Sequence, residues 1–465
     1  MIIFPKDKNI LGAIAGRLIP SSVIKMAWET EGRRRISSNT AWLFGDRMVR
    51  MIVGLFIGVW LARYLGPERY GIYSYAIAFT FLFSPIRSLG MERVTVRELV
   101  KRPADAGSIM GSSIFPMLVG GVAAFSAAGI LIGVLRPGDS TVRILVLTIA
   151  AGMLFQSFDV VDYYNQSRVE SRFTVLPKGV VFLGASVIKA MLILLGASVV
   201  AFGWIYGAEL FFAAVALTVA YLMRRDIPAP GRWKLSGPEV RGLLADSWPL
   251  MISSALIVIN MRIDQVMMGS MLGNHDLGVY SVAVRLTELW YFIPIILQST
   301  LMPSIVNAGQ KSRELLDRRM YNYYRLMSAL AYMAIIPMWL LSGPLVLLLF
   351  GESYAGAIPM ARWLLITVLF VNLGLARTVF LTTMNWTRLH MASSVLGALI
   401  NVVLNFILIP VYGGMGAVIA SLIAYWVQVH GSCFLFPALR GTGMSMLKAM
   451  VLIPASGDVN NGDEK

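Results

Sequence analysis

Residues 65–76 read LGPERYGIYSYA, and residues 272–283 read LGNHDLGVYSVA. At the constant offset of 207 positions, identical residues recur without a gap at Leu65, Gly66, Gly71, Tyr73, Ser74 and Ala76. Each copy lies between two long apolar segments. The stretch therefore indicates an internal duplication, with the rest of the chain arranged as two halves around it. Self-similar halves in a very apolar chain are typical of transporters.

The composition is that of an integral membrane protein. Of the 465 residues, 57% are hydrophobic and 14% are charged, and the mean hydropathy is +0.70. A soluble domain carries about 25% charged residues. The single cysteine, Cys433, provides no disulfide framework or thiolate metal site, and the three histidines lack ligand spacing. We therefore expect neither a metal nor a cofactor.

About twelve long apolar segments are present, each near the ~20 residues that cross ~30 Å of hydrocarbon. They are too long for barrel strands and show no alternation of period two. The predicted fold is an all-α polytopic membrane protein, with two parallel six-helix repeats forming two lobes around a central cavity. The segments are 39–63, 70–91, 109–134, 141–164, 174–197, 203–223, 247–271, 278–304, 323–349, 356–382, 389–411 and 414–436.

The loops on one side of these segments contain most of the Lys and Arg residues. The opposite loops contain only Arg69 and Arg136, with Arg63 and Arg143 at their flanks. The positive-inside rule therefore places both termini in the cytoplasm and both copies of the repeat in short outer turns. This distribution explains the net charge of +15 without a nucleic-acid partner. Tight turning at the glycines is the expected role of the repeat, with its tyrosines near the outer interface.

The predicted organisation has five parts. A basic cytoplasmic tail is followed by an N-lobe, a cytoplasmic linker rich in Pro, Gly and charge, a C-lobe and a C-terminal tail. Pro85 and Pro294 fall at matched depths in the second helix of each lobe and predict kinks there. The boundaries of the five parts are 1–38, 39–224, 225–246, 247–436 and 437–465.

Charged residues inside the apolar segments are the candidate functional residues, because each costs roughly 2.5–3.5 kcal/mol or more at the membrane centre. In the first segment Arg47 and Arg50 share a stripe with Gly54 and Gly58, and Asp46 is placed to pair with Arg50. Arg50 lies near mid-depth, too deep to reach the surface easily.

The first two segments of the second half carry two further pairs of charges. Arg262 and Asp264 point in different directions, so at least one should find its partner on another helix. Arg285 and Glu288 are spaced i,i+3 and are placed to pair. Other polar residues lie within the segments, some of them nearer the ends, namely Asp159, Asp162, Lys189, Arg377, Asn401 and Asn405.

Two interpretations of these charges remain open. They form ion pairs between helices, or they line a water-filled cavity between the lobes. In the second case Arg47, Arg50, Arg262 and Arg285 would bind phosphate through paired donors. Asp264 or Glu288 would then bind a coupling cation or proton. No nucleophile–base constellation and no Walker loop occurs, which argues against an enzyme and against an ATP-driven pump.

The repeat and three later motifs resemble one known family. LARYLGPERYGIYSYA is similar to the signature after the first helix of oligosaccharide-lipid flippases of the O-antigen flippase type. These belong to the polysaccharide-transporter branch of the multidrug/oligosaccharidyl-lipid/polysaccharide exporter superfamily. The resemblance covers roughly 39–436. The other motifs are RIDQVMMGSMLGNHDLGVYSVAVRLTEL at 262–289, LFGESYAGAIP at 349–359 and NVVLNFILIPVYGGMGAVIAS at 401–421.

The resemblance implies a two-lobed bundle in the bacterial inner membrane that opens alternately to each side. It implies a substrate in which an isoprenoid pyrophosphate carries a short glycan, together with membrane lipid and other polysaccharide-assembly proteins as partners. It also implies transport driven by an ion gradient. Many relatives have ~14 helices, two more than this chain. The alternatives are a multidrug exporter of the same superfamily, a peptidoglycan-precursor flippase and an inert scaffold for glycan assembly.

Overall fold

The computed structural model describes residues 31–224 and 233–453. Within these ranges every regular element is helical and no strand occurs. Most of the predicted N-terminal tail, the linker stretch 225–232 and the chain from residue 454 lie outside the described residues. The helices are α1 (31–65), α2 (67–101), α3 (Ala106–Leu135), α4 (Ser140–Ser167), α5 (Arg172–Leu194), α6 (Val199–Leu222), α7 (Gly237–Met271), α8 (274–311), α9 (Arg313–Leu349), α10 (Ala357–Thr383), α11 (Thr387–Tyr412), α12 (Gly414–Leu435) and α13 (Arg440–Met450).

Within the described ranges, eleven helical stretches are long and apolar enough to cross a membrane. The first, Ser38–Lys101, has 64 residues and would extend about 95 Å as one straight helix, far beyond the ~30 Å of hydrocarbon. Gly66 interrupts it with a φ of 68° and a ψ of 170°. α1 then packs antiparallel to α8, and α2 packs antiparallel to α7. The chain therefore reverses at Gly66, and the described residues contain the twelve crossings that the sequence predicts.

The two lobes comprise α1–α6 and α7–α12. Gly273, the equivalent of Gly66, has a φ of 98° and a ψ of −178°, so both repeats make the same turn. The two turns meet on one face of the molecule, which we call the repeat face. The opposite face carries residues 102–105 and 233–236 between helices, and we call it the linker face.

The surface and the interior of the bundle have the polarity expected for a membrane protein. Large apolar side chains such as Val180, Leu340 and Phe406 are exposed, which indicates contact with lipid. Tyr73 and Tyr280 of the repeat are buried, because the turns that carry them pack between the lobes. Their burial shows that they contact other protein residues, and their depth near the outer membrane interface stays a prediction.

Several membrane helices are interrupted along their length. α2 is interrupted at residues 82–83, just before Pro85, and α8 contains a 3-10 turn at Leu289–Tyr291, just before Pro294. The prolines thus mark matched breaks in the two lobes, as predicted. α4 contains a 3-10 turn at Gln156–Asp159, and α12 contains a π-turn at Val427–Gly431.

The lobes also touch on the linker face, where α7 begins within the stretch predicted as linker. The first turn of α7 carries Glu239, whose carboxylate accepts hydrogen bonds of 3.0 and 2.6 Å from Arg102 at the end of α2. Arg97 of α2 forms an ion pair with Asp246, which lies further along α7 than Glu239. Gly90, with a φ of 68°, lies so close to the α7 backbone that a Cβ there would overlap it. These contacts join α2 to α7 on this face.

Candidate functional site

A cavity of about 630 Å³ lies inside the N-lobe, in the half nearer the linker face. α1, α4, α5 and α6 form its walls, and the linker-face end of α2 contributes Glu92. The volume lies within the ~300–1,000 Å³ range of small-molecule sites. The ionisable side chains that line it are Asp46, Arg47, Arg50, Glu92, Asp159, Asp162, Lys178 and Glu209.

The α1 wall of this cavity carries the first predicted arginines. Arg50 Nε donates to both carboxylate oxygens of Asp46 at 2.9 Å, which confirms the predicted i,i+4 pair. The Arg50 guanidinium also lies 4.9 Å from the ring centroid of Phe182. Arg47 is exposed, and no hydrogen bond or ion pair joins it to another described residue. The two arginines therefore differ in their surroundings at the cavity, because only Arg50 is paired with a carboxylate.

The α4 wall carries a second ionic cluster. Lys178 Nζ lies 2.9 Å from Asp159 Oδ1 and 3.2 Å from Asp162 Oδ2. Arg87 of α2 reaches Asp159 from behind the wall at 3.5 Å. The 3-10 turn at Gln156–Asp159 places these carboxylates against α5. The spacing of the two aspartates in the sequence shows that they share a face, but it does not identify Lys178 as their partner.

A third ion pair joins α5 to α6 beside the cavity. Lys189 Nζ lies 2.7 Å from Glu209 Oε2, and Lys189 is only 9% exposed. Glu209 lines the cavity, whereas Lys189 lies behind it. Most cationic groups at this site are therefore bound to a neighbouring carboxylate, and the cavity as a whole is polar and close to electrically balanced.

The predicted residues of the C-lobe lie at the junction between the lobes and are not part of the N-lobe cavity lining. Arg262 of α7 pairs with Glu288 of α8 at 3.1 Å, and its guanidinium lies 5.6 Å from the Phe81 ring of α2. Asp264 is buried and accepts hydrogen bonds from the Tyr280 hydroxyl and from the backbone N–H of Gln265. Both residues thus find a side-chain partner on a different helix, as the sequence requires of at least one of them.

Arg285 of α8 crosses to the other lobe. Its guanidinium donates to the backbone oxygen of Gly54 and fills a notch at Gly58, where a Cβ would overlap it. Glu288, the partner suggested by the i,i+3 spacing, pairs instead with Arg262. Among the described residues, Arg285 forms no ion pair, so a full positive charge remains at the junction between α1 and α8.

The interior of the C-lobe contains a polar network of its own. Arg377 of α10 is 3% exposed and donates to the backbone oxygens of Gln428 and Val429 at 2.6 and 3.0 Å and to Ser393 Oγ at 2.8 Å. The π-turn of α12 contains both carbonyls. Asn260 of α7 donates to the Gln428 side chain at 2.7 Å. Sequence patterns carry no signal for this π-turn, and Arg377 has a structural role within it.

No group of three or more His, Cys, Asp or Glu side chains in residues 31–224 and 233–453 is arranged to hold a metal ion. His275, His390 and His430 are indeed scattered, on the α8 end, α11 and the π-turn. The polar groups described above can bind a solute by hydrogen bonds and charge.

Comparisons with solved structures show the fold. An inward-facing multidrug resistance MATE family transporter of the MOP superfamily is similar with a TM-score of 0.70 and 16% identity, covering 87% of this chain and 99% of that one. Lipid II flippase MurJ in an inward closed conformation has a TM-score of 0.67 and 14% identity, covering 89% and 90%. A MOP superfamily transporter from Pyrococcus furiosus has a TM-score of 0.59 and 15% identity, covering 87% and 96%. No curated protein matches the chain.

Family models give the same assignment from the sequence. The model described as MatE matches residues 249–407. The model described as polysaccharide biosynthesis protein matches residues 36–309, which are 274 of the 465 residues and span the whole N-lobe and the junction between the lobes. The chain is therefore a member of the polysaccharide biosynthesis protein family, with the fold of the MOP superfamily transporters.

Proposed function

We propose that this protein flips an isoprenoid-pyrophosphate-linked oligosaccharide from the cytoplasmic to the outer leaflet by alternating access, for surface polysaccharide synthesis. The observation that carries the proposal is the N-lobe cavity, which is polar, close to charge-balanced and adjoined by arginines without a counter-ion. Membership of the polysaccharide biosynthesis protein family gives this chemistry its biological context.

The proposal places the linker face in the cytoplasm and the repeat face outside, in the inner (plasma) membrane, with both termini cytoplasmic. The loops of the linker face carry most of the Lys and Arg residues, and the positive-inside rule supports this orientation. The N-lobe cavity then lies in the cytoplasmic half of the bundle, on the side from which a newly made lipid-linked glycan arrives. The lipid tail remains in the bilayer.

The walls of the cavity suit the glycan. Paired carboxylates and amides such as Gln156 and Asn39 offer both acceptors and donors for hydroxyl groups. Because Asp46, Asp159, Asp162 and Glu209 are held by cations, they present oxygen atoms without a large net field. A neutral, hydroxyl-rich head group is favoured over a simple ion in such a site.

The arginines suit the pyrophosphate. Arg47 and Arg285 have no carboxylate partner among the described residues, so an anionic ligand meets their full charge. Arg50 and Arg262 are already paired with Asp46 and Glu288 and would contribute after those pairs rearrange. In this scheme the pyrophosphate lies at the junction between the lobes, with the glycan in the N-lobe.

Cation or proton exchange through Asp264 or Glu288 is proposed as the driving force. Asp264 lies at mid-depth on α7 and is buried behind Tyr280, and Glu288 lies on the adjoining α8 beside Arg262. A carboxylate in this position lies close to the lobe junction. When it changes its charge or its hydrogen-bond partner, it can therefore couple ion binding to lobe movement. Membrane lipid and other polysaccharide-assembly proteins are the proposed partners.

A second function, export of organic cations, is supported by a specific observation. The cavity lining contains five carboxylates against three cationic side chains, and the MatE model matches much of the C-lobe. These carboxylates weaken the repulsion that the arginines would exert on a cationic substrate. Arg87 and Lys189, which lie directly behind the carboxylates, restore the balance and favour the glycan. A peptidoglycan precursor shares the pyrophosphate chemistry and is the other alternative.

The test is export in cells. The protein is expressed in a bacterium that lacks its own oligosaccharide-lipid flippase, and surface polysaccharide is measured beside ethidium accumulation. We expect Arg47→Ala and Arg285→Ala to lower polysaccharide export roughly tenfold or more at equal protein level, because each loses a charge-assisted hydrogen bond. Arg143→Ala is the matched control, since the Arg143 side chain, in the first turn of α4, donates to the backbone oxygen of Pro137 in the preceding loop.

Three results would decide against this function. Normal export by both arginine variants would show that Arg47 and Arg285 do not form a cationic binding site for the substrate. Lower ethidium accumulation without restored polysaccharide would favour the organic-cation exporter. Rescue of a strain depleted of its peptidoglycan-precursor flippase, without restored surface polysaccharide, would favour that substrate.

A further inference from the structure

The repeat face is closed by contacts that the two lobes make reciprocally. Gly71 lies against the backbone of Asn274, and Gly278 lies against the backbone of Pro67, so closely that a Cβ at either glycine would overlap the opposite carbonyl oxygen. Both pairs are related by the 207-residue offset of the duplication. Reciprocal contacts of this kind are the signature of a two-fold axis, which here passes between the two turns.

A second set of contacts crosses between the lobes around this axis. Tyr354, in the turn between α9 and α10, donates its hydroxyl to the backbone oxygen of Ala62 at 2.7 Å. Arg136, in the turn between α3 and α4, donates to the backbone oxygen of Gly269. Ala62 and Gly269 are also separated by 207 residues. Each lobe therefore sends one donor from the equivalent turn to the equivalent carbonyl of the other lobe.

The carbonyl oxygens of Ala62 and Gly269 can accept hydrogen bonds from the other lobe because they lie at the ends of α1 and α7. Ala62 and Gly269 both lie among the last four residues before the helix terminates ahead of Gly66 and Gly273. The last four carbonyls of a helix have no partner within it and need another donor or water. When the lobes touch, the opposite lobe supplies that donor. When the repeat face opens, water must replace it.

The two donors differ in chemistry although they occupy equivalent places. The Arg136 side chain is 12% exposed, bonds to Asn274 Oδ1 at 2.7 Å and lies 4.1 Å from the Tyr75 ring centroid. Tyr354 is fully buried and packs edge-on against Tyr70 with ring centroids 6.2 Å apart. Sequence comparison of the two halves does not align these residues, because they belong to turns that have diverged. Only the position of the donor and of its carbonyl acceptor is shared.

We propose that Arg136 and Tyr354 form a lock that holds the repeat face closed and must break before the transporter opens on that side. We call the interlobe contacts made by Gly71, Gly278, Arg136 and Tyr354 the repeat-face lock. The inference rests on the alternating access of the proposed function, but it requires no particular substrate. Its arginine contributes most, because a hydrogen bond from a charged donor is stronger than one from a hydroxyl.

The test measures opening directly in purified full-length protein in lipid nanodiscs. Glu68→Cys and His275→Cys place spin labels at equivalent exposed positions in the two turns, and the natural Cys433 is buried. Double electron–electron resonance then reports the distance between the turns. We expect one short distance in the parent. In Arg136→Ala we expect a longer distance as well, and the population at the longer distance relative to the shorter one should be roughly tenfold higher than in the parent, equivalent to about 1.4 kcal/mol.

Tyr354→Phe removes only the hydroxyl and should raise the same ratio about fivefold, which keeps the test valid if Arg136→Ala does not fold. Arg143→Ala, in the first turn of α4 after the loop that contains Arg136, should leave the distances unchanged. Short distances retained in both Arg136→Ala and Tyr354→Phe would overturn the lock. Because no substrate is added, such a result would leave the proposed flippase activity standing. Conversely, loss of export by Arg47→Ala with normal opening would leave the lock standing.

Discussion

Gly54 and Gly58 lie one helical turn apart on the same side of α1, but their surroundings differ. A Cβ at Gly58 would overlap the Arg285 guanidinium, whereas no atom lies within 4 Å of a Cβ at Gly54. We therefore expect Gly58→Ala to displace Arg285 from its notch and to lower polysaccharide export several-fold. Gly54→Ala should export normally and serves as the matched control. The measurement is surface polysaccharide at equal protein level in the flippase-deficient strain.

The same pair of variants also separates a local effect from a change in folding. Both replacements raise helix propensity by about 1 kcal/mol, so any general effect of alanine on α1 is shared. Equal export by Gly54→Ala and Gly58→Ala would contradict a role for the notch. The thermal unfolding midpoints of the two purified variants should be close to one another, because the clash at Gly58 involves the flexible end of a side chain.

At the scale of single residues, sequence reasoning succeeds where the partner is local. The Asp46–Arg50 pair follows from i,i+4 spacing alone. It fails where a local partner competes with one on another helix. Glu288 lies one turn from Arg285 yet binds Arg262, since the docking of α7 on α8 brings that guanidinium within 3.1 Å. The acceptor of Arg285 is a backbone oxygen of the other lobe, for which no side-chain pattern exists.

At the scale of elements, the Lys189–Glu209 pair tests how α5 is held against α6. Lys189→Met should lower the free energy of unfolding by about 2–4 kcal/mol, because it leaves the Glu209 carboxylate unpaired in a mostly buried setting. Lys189→Met combined with Glu209→Gln should recover most of this loss, because neither charge then remains. Unfolding is followed by reaction of the buried Cys433 thiol with a fluorogenic maleimide during heating.

Lys101→Met provides the control for this series. Lys101 is 60% exposed and lies 3.6 Å from Glu98, so its removal should change stability by less than about 1 kcal/mol. If the double variant were as unstable as Lys189→Met alone, the loss would come from packing around the lysine stem and not from the unpaired charge. That outcome would contradict the ion-pair explanation.

The breaks within helices show which element features a sequence can predict. Proline removes a backbone donor, so Pro85 and Pro294 identify the interruptions of α2 and α8. The 3-10 turn of α4 and the π-turn of α12 contain no proline. In the first of these turns Asp159 pairs with Lys178, and in the second two carbonyls accept hydrogen bonds from Arg377, so both partners come from other helices. The polar lining of the N-lobe cavity depends on the first of these turns.

At the scale of the whole molecule, the duplication predicts two lobes in one orientation, because six crossings separate its copies. It does not predict how the lobes dock. The sequence indicates tight turns at both copies of the repeat, and Gly66 and Gly273 confirm them with positive φ values of 68° and 98°. The glycines that contact the other lobe, Gly71 and Gly278, have ordinary helical conformations. Their role depends on what approaches them, and only the assembled bundle shows it.

This docking leads to a prediction that depends on the two-fold axis itself. Gly71→Ala and Gly278→Ala should disturb the closed repeat face to the same extent, because each Cβ meets an equivalent backbone carbonyl of the opposite lobe. With Glu68→Cys and His275→Cys in place, cross-linking by a short bis-maleimide should fall by a similar factor, roughly tenfold, in both variants, since backbone cannot move aside as a side chain can. Gly138→Ala, on the same face with no atom within 4 Å of its Cβ, should cross-link like the parent. A large effect of one glycine variant and none of the other would mean that the lobes do not close symmetrically about the repeat.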